Sequence, residues 1–326
     1  MKQYIKERIW IILLLLPVYL LIFYITIIRQ DYEILMPGDI TPVEEKVFIE
    51  NGYEQEGSIN SVFVYSLSKS TVFMNKFAEN LVGVDVREMN PSYSLLTPDE
   101  IRNRGKVYYD TGMQYSIIHA YKSAGNLIEY DLDGLLVSYI FKDTIQGDLE
   151  IGDKITAING YEIEKLEDIS LTFDLDEVTF TTSRGDVILK RNENSKFGFI
   201  IRSNFDITKS EPNFEIEETS TMGSSGGLLQ TLSLFNQLTE FDYTYGLKIA
   251  GTGSITDAGD VLEIGGVRQK VLAADRKNVD IFFVPSENYE VAKEVWNKIK
   301  TDMKLVKVDT FIDAINYLIE YGDENA

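Results

Sequence analysis

The stretch Met222-Gly223-Ser224-Ser225-Gly226-Gly227-Leu228-Leu229 sets two serines among glycines at the start of an apolar helical pattern. A serine hydroxyl is a weak nucleophile until a neighbouring base takes its proton. The chain holds one histidine, His119, and no cysteine. Thiol catalysis, disulfides and thiolate metal sites are therefore excluded, and a histidine-rich zinc centre cannot be built. His119 falls between Ile118 and Ala120 in a predicted helix, where it reads as an ordinary helix-face residue. Two readings of the serine pair stay open on the residues alone. The serines could stand where unpaired N–H groups and the helix dipole hold an oxyanion, or they could simply cap the helix. A phosphate-binding loop of the GxxxxGK[ST] type would need a lysine after these glycines, and none follows.

A second candidate base lies in "EIGGVRQKVLAADRK", Glu263 to Lys277. A helix starting near Val267, at about 100° per residue, puts Lys270 between Ala273 and Ala274 and beside Val267 and Val271. Arg268, Gln269 and Arg276 are expected to point away, with Leu272 among them. Lys270 could snorkel out over the alanines. It could also be held dry, where burial disfavours the ammonium and makes the neutral amine a base.

These residues need elements to carry them. Ile9 to Ile28, "IWIILLLLPVYLLIFYITII", is twenty residues without a charge. At about 1.5 Å per residue it is roughly 30 Å long, the thickness of a bilayer's hydrocarbon core. Pro17 inside it is tolerable in a membrane helix. No small-x-small cleavage site follows, so the segment is expected to be an uncleaved anchor rather than a signal peptide. Lys2, Lys6 and Arg8 precede it, and Asp31, Glu33, Asp39, Glu44 and Glu45 follow Arg29. The excess of cations before the helix predicts a cytoplasmic N-terminus and an extracytoplasmic remainder. A net charge of −21 argues against a nucleic-acid partner.

Between Pro42 and Asn126 the signals are weaker. "KVFIENG" and "SINSVFVYSLS" read as strands, "STVFMNKFAENLV" as helical, and Thr97 caps a long helix with Asp99 and Glu100 in its first turn. From Asn126 to Asn192 the chain reads as a β-rich module, with "GLLVSYIF" a strand and "EVTFTTSRGDVILKR" a hairpin turning at Arg184-Gly185-Asp186. Gly134-Leu135-Leu136-Val137, Gly152-Asp153-Lys154-Ile155, Ile158-Asn159-Gly160 and Ile163 make this module similar to PDZ domains of the bacterial, protease-associated kind. Such domains bind an extended peptide by adding a strand to a sheet edge. The loop expected before Gly134 to cradle a terminal carboxylate reads "YDLD", and Asp131 and Asp133 would repel one. The module is therefore expected to take internal or unfolded segments, or to be architectural. "NFEIEETST" is expected to be a strand leading into the serine turn.

Gly223 to Asn288 resembles the proteolytic domain of Lon, and most of all the membrane-anchored, PDZ-containing Lon-like serine proteases that lack an ATPase. The family's Gly-Pro-Ser-Ala-Gly corresponds to Gly223-Ser224-Ser225-Gly226-Gly227, so the resemblance puts the nucleophile at Ser225. Ser224 and Gly226 stand in the proline and alanine slots, and Met222 stands where Lon has an acidic residue. The family's lysine, after a Gly-Gly turn and before an Ala-Ala pair, corresponds to Lys270. "GTGSI" matches a strand whose threonine approaches that lysine, here Thr252; "FNQLTEFD" and "FFVPSEN" extend the match.

The resemblance implies an α+β multidomain chain: a cytoplasmic N-terminus and transmembrane helix at 1–30, an α/β region packing with the protease at 31–125, a PDZ domain at 126–195, and a Lon-like proteolytic domain at 196–326. It implies a Ser225/Lys270 dyad supported by Thr252, with no metal, nucleotide or organic cofactor. Substrates would be exported or membrane proteins, hydrolysed without ATP, and the ring-forming habit of Lon proteolytic domains leaves room for a homo-oligomer. The alternative is a membrane-tethered PDZ adaptor whose protease fold has lost activity.

Overall fold

The computed structural model describes residues 2–172, 174–193, 196–256 and 258–325, with side chains from residue 9 onward. The chain opens with a helix at Lys2–Ile27 that carries Pro17 inside it. Its segment Ile9–Ile27 is long and apolar enough to cross a membrane, and none of it is buried against the rest of the protein. A signal sequence fits the same description. The side chains of Lys2, Lys6 and Arg8, on which the expected orientation rests, lie outside the described residues.

A six-stranded mixed sheet organises the rest, in the order 304–308, 281–285, 248–251, 58–68, 32–42, 85–88. The first four of these strands run parallel to one another, and Tyr32–Pro42 runs antiparallel to its neighbours on both sides. Residues far apart in sequence thus share one sheet: Lys248–Gly251 lies between Ser58–Ser68 and Ile281–Pro285. The central run Ile281-Phe282-Phe283-Val284 is wholly buried. Its side chains alternate between two cores, as expected of a strand covered on both faces. Under one face lie the helices Pro98–Ala124, Gly227–Leu238 and Phe311–Asn325; under the other lie Val267–Arg276 and Ser286–Ile299.

The strand Tyr32–Pro42 was not anticipated. Its register shifts between Pro37 and Ile40, and Gly38 is pressed against the carbonyl of Phe63, so the bulge hides the alternation by which a strand is recognised. The helix expected from "STVFMNKFAENLV" is confined to Val72–Ala78. Thr97 caps the long helix as expected, and Glu100 completes a reciprocal capping box with it.

A second, antiparallel sheet curls away in the order 199–211, 127–140, 154–158, 177–182, 185–190. Its two longest strands, Leu127–Ile140 and Phe199–Glu211, pair along nearly their full lengths. Their near ends place Ile128, Phe205 and Ile207 against the core of the first sheet. Their far ends place Leu135, Val137, Tyr139, Phe199 and Ile201 in a separate core with Ile155, Phe180 and Leu189. The stretch "YDLD" is therefore strand and not a loop: Asp131 pairs opposite Asp206, and Asp133 accepts from Lys154 Nζ at 2.8 Å. The segment Leu135–Ile140 pairs along its length with Phe199–Ser203 on one side, while on the other only its start is paired, Leu135 and Leu136 with Ile155 and Lys154 and Val137 with the backbone of Gly152 and Asp153.

Candidate active site

The turn before the helix Gly227–Leu238 is shaped by the long helix beneath it. Gly112 of that helix is so close to Ser224 that an added Cβ would lie 2.9 Å from the serine Cβ, and one at Gly105 would lie as close to Met222. The Gly223 amide donates to the Gly105 carbonyl at 2.8 Å, and Ser116 Oγ donates to the Gly227 carbonyl at 3.1 Å. Gly223 itself has φ +84, a conformation a glycine adopts at little cost. Small residues at 105, 112 and 116, one helix face by their spacing, thus form the bed on which the serines rest. That spacing was readable in the sequence, but nothing in it said what would lie on it.

Of the expected strand "NFEIEETST", only Phe214–Ile216 forms, paired with Val47–Ile49. From Glu217 to Met222 the chain is irregular and mostly exposed up to the serine turn. Its acidic and hydroxyl side chains provide no apolar face to bury, and Thr221 bonds locally to Thr219.

Both sheet faces contribute to the site. The helices Gly227–Leu238 and Val267–Arg276 cover opposite faces, and their first turns come together where Lys248–Gly251 ends. There the Ser225 carbonyl accepts from the Gly253 amide at 2.9 Å and from Thr252 Oγ1 at 3.0 Å. Leu228 N–H in turn donates to the Gly253 carbonyl. Gly266, with φ +73, turns the chain into the lysine helix, and the buried Asn288 side chain holds both backbone groups of Ile264 just before it.

Lys270 is 2% exposed. Its Nζ lies 2.8 Å from Ser225 Oγ and 2.8 Å from Thr252 Oγ1. No carboxylate pairs with it among the described residues. Burial alone therefore acts on the ammonium and pushes its pKa down to about 7. The Thr252 proton is committed to the Ser225 carbonyl, so its oxygen is left to accept an N–H from Lys270. This arrangement leaves the lone pair of a neutral amine free to face Ser225 Oγ. The amides of Ser225 and Gly226, at the positive end of the helix, have no partner among the described residues.

The three residues singled out from sequence, Ser225, Lys270 and Thr252, are thus in mutual contact. Ser224 faces elsewhere and accepts from Ser254 Oγ at 2.8 Å. His119 packs its ring edge-on against Phe311, beside Gly259, with no hydrogen bond to either serine. One expectation about the lysine helix is corrected: Gln269 does not point away. It is buried, and its Nε2 donates to the Gly83 carbonyl at 3.3 Å, because the loop after Val72–Ala78 covers that side of the helix. Gly105, Gly112, Ser116, Ser254 and Asn288 are the site-shaping residues that sequence reasoning did not identify.

Residues 149–320 match the family described as the Lon protease (S16) C-terminal proteolytic domain. The match begins inside the β-rich module. The Lon protease of Clostridioides difficile is 28% identical over 209 residues, 58% of this chain and 26% of that protein. The Lon protease of Metamycoplasma arthritidis is 28% identical over 154 residues, 47% of this chain and 18% of that protein. That of Methanosarcina barkeri is 29% identical over 156 residues, 44% of this chain and 19% of that protein. The chain therefore spans about a quarter or less of the length of these relatives.

Proposed function

The chain belongs to the family of Lon protease (S16) proteolytic domains, and from that premise we propose that it is a membrane-anchored serine endopeptidase using a Ser225/Lys270 dyad. The observation that carries this reading is a buried lysine with no acidic partner among the described residues, its pKa near 7 and its Nζ 2.8 Å from a serine at a helix start. Neutral Lys270 takes the proton of Ser225 Oγ as the oxygen attacks a peptide carbonyl. The carbonyl oxygen becomes an oxyanion facing the free amides of Ser225 and Gly226. Lys270 returns the proton to the departing amine and leaves an acyl-enzyme. It then takes a proton from the water that attacks the ester carbonyl and returns it to Ser225 Oγ as the acyl C–O bond breaks, which frees the carboxylic product and restores the neutral amine. Thr252 holds the amine in place through both halves. Every group in this sequence comes from the chain itself, so hydrolysis is taken to need no ATP and no metal.

Anchored by Ile9–Ile27 and oriented with its N-terminus in the cytoplasm, such an enzyme would work on exported or membrane proteins. The β-rich module at 126–195 fits best as an architectural PDZ-like piece. A peptide adding to Leu135–Ile140 would need an unpaired edge there; one edge is filled along its length by Phe199–Ser203, and the other is taken at Leu135 to Val137 by residues 152–155.

The deciding experiment treats the full chain in detergent with a fluorophosphonate. Labelling should occur, map to Ser225 and vanish in Ser225→Ala. Ser224→Ala should label normally, since Ser224 is engaged with Ser254. A label on Ser224, or no label on a folded chain, would remove the proposal.

A further inference from the structure

The segment that covers the lysine helix has an outer face that water does not suit. Val72–Ala78 buries its polar Asn75 and its small Ala78 and turns Phe73 and Phe77 outward. A turn continues to Leu81, one step further along the same face, and Val82 follows. Phe73 is 58% exposed, Phe77 62%, Leu81 43% and Val82 86%. Four large apolar side chains so placed form a patch of the kind that marks an interaction surface.

Its place in the fold identifies the occupant. The short helix begins where the apolar N-terminal helix ends: Arg29 bridges Thr71, the cap residue, and the Gln30 amide donates to the Ser70 carbonyl at 2.8 Å. The two helices also pack against each other. Arg29 and Lys69, joined by a hydrogen bond from Arg29 Nη1 to the Lys69 carbonyl, put two cations at the same level, where lipid phosphates would lie. A patch continuous with a membrane span, at its end and flanked by cations, has a bilayer surface as its neighbour.

We propose that Val72–Ala78 and the turn through Val82 lie in the bilayer interface, with Phe73, Phe77, Leu81 and Val82 inserted among the acyl-chain ends. The proposal rests on the reading of Ile9–Ile27 as a membrane anchor. It has a consequence for the active site. Val82 is followed by Gly83, whose carbonyl accepts from Gln269, the residue before Lys270. An added Cβ at Gly83 would lie 2.6 Å from Leu272, so this loop sits tightly on the lysine helix. The membrane contact is thus one residue removed from the helix that carries the base. It fixes the dyad close to the lipid surface, where the accessible peptide bonds are those next to membrane spans.

The absence of cysteine makes single-site labelling unambiguous. An environment-sensitive fluorophore would be placed on Phe77→Cys or Val82→Cys of the full chain, in nanodiscs of phosphatidylcholine and phosphatidylglycerol. Ile22→Cys, in the apolar helix, and Tyr161→Cys, exposed on the second sheet, serve as references. Lipids brominated near the top of the acyl chain should quench the labels at 77 and 82 to within about twofold of Ile22, as for groups about 5–10 Å below the headgroups. The Tyr161 label should be unaffected by bromolipid and quenched by aqueous iodide. If Ile22 is quenched and 77 and 82 behave like 161, the inference falls and the anchor stands. If 77 and 82 are shielded from both quenchers, another protein surface covers the patch and the inference also falls. If Ile22 itself is unquenched, the anchor reading is the one overturned, and the inference goes with it.

Discussion

At the residue scale the site depends on one charge being absent. In the proposed dyad Lys270 can act as a base only when neutral, and burial brings its pKa to about 7. The rate of acylation should therefore rise with pH in a single proton step centred near 7 and then level off. Lys270→Arg should show neither the rise nor measurable turnover, because a guanidinium stays protonated and has no lone pair to offer. The same burial has a cost in stability. Lysine in the unfolded chain keeps a pKa near 10.5, well above the folded value. Below pH 7 both states are protonated, and the folded state carries the whole penalty of a dry ammonium. Between about 7 and 10.5 the unfolded chain binds the extra proton, so wild-type stability climbs with pH. Lys270→Met should accordingly be more stable at pH 6, by on the order of several kcal/mol, since each tenfold loss of proton affinity on folding costs about 1.4 kcal/mol. That advantage should shrink toward zero near pH 10. Melting temperatures of the two proteins across this range measure it; a constant difference would mean that Lys270 is not held dry. The apolar stripe around Lys270 was legible from 100° spacing because Ala273, Ala274 and Val271 are small or branched and leave little doubt about which side faces inward. The environment of Gln269 was not legible, because the cover comes from Gly83, far away in sequence.

At the scale of elements, the serine turn is held by a helix more than by its own sequence. Proline is missing from the turn, yet Gly105, Gly112 and Ser116 support it from beneath. Gly112→Ala would push a methyl to 2.9 Å from Ser224 Cβ and 3.3 Å from its Cα, and backbone on one side or the other must move. Alanine gains about 1 kcal/mol over glycine inside a helix, which roughly offsets the overpacking. The expected result is a melting temperature within a few degrees of wild type. Acylation should slow by about a hundredfold, the usual consequence of misplacing a reacting group by about 1 Å. Unchanged labelling kinetics in this variant would show that the helix does not set the position of Ser225. Local patterns reported the helices well: the Gly-Gly turns and periodic apolar residues after 227 and 267 lie where the helices begin. Strands were harder. Phe214–Ile216 ends early because nothing pairs with Glu218 onward, and a partner strand is information that no local window contains.

The whole molecule is joined by connections that run between distant parts of the chain. Strands from before residue 70 and after residue 245 share one sheet, so the region at 31–125 builds the same core as the site. The order of elements along the chain was readable, but this interleaving arises from long-range pairing and was not. If Ile9–Ile27 anchors the chain as proposed, one consequence concerns which side of the membrane the site faces. Every strand of the main sheet lies after Ile27, so the residues that carry Ser225, Lys270 and Thr252 are on whichever side the remainder occupies. The excess of cations before the apolar helix, Lys2, Lys6 and Arg8 against Arg29 directly after it, favours the exterior for the remainder. A chain of net charge −21 also gains nothing from an anionic cytoplasmic leaflet. Protease added to intact cells should therefore degrade the folded part and leave a fragment of about the anchor's size, and permeabilising the cells should change the pattern little. Complete protection until the membrane is broken would reverse the orientation. It would also move the substrate pool to the cytoplasm while leaving the chemistry of the dyad untouched, because the geometry around Lys270 does not depend on which side it faces.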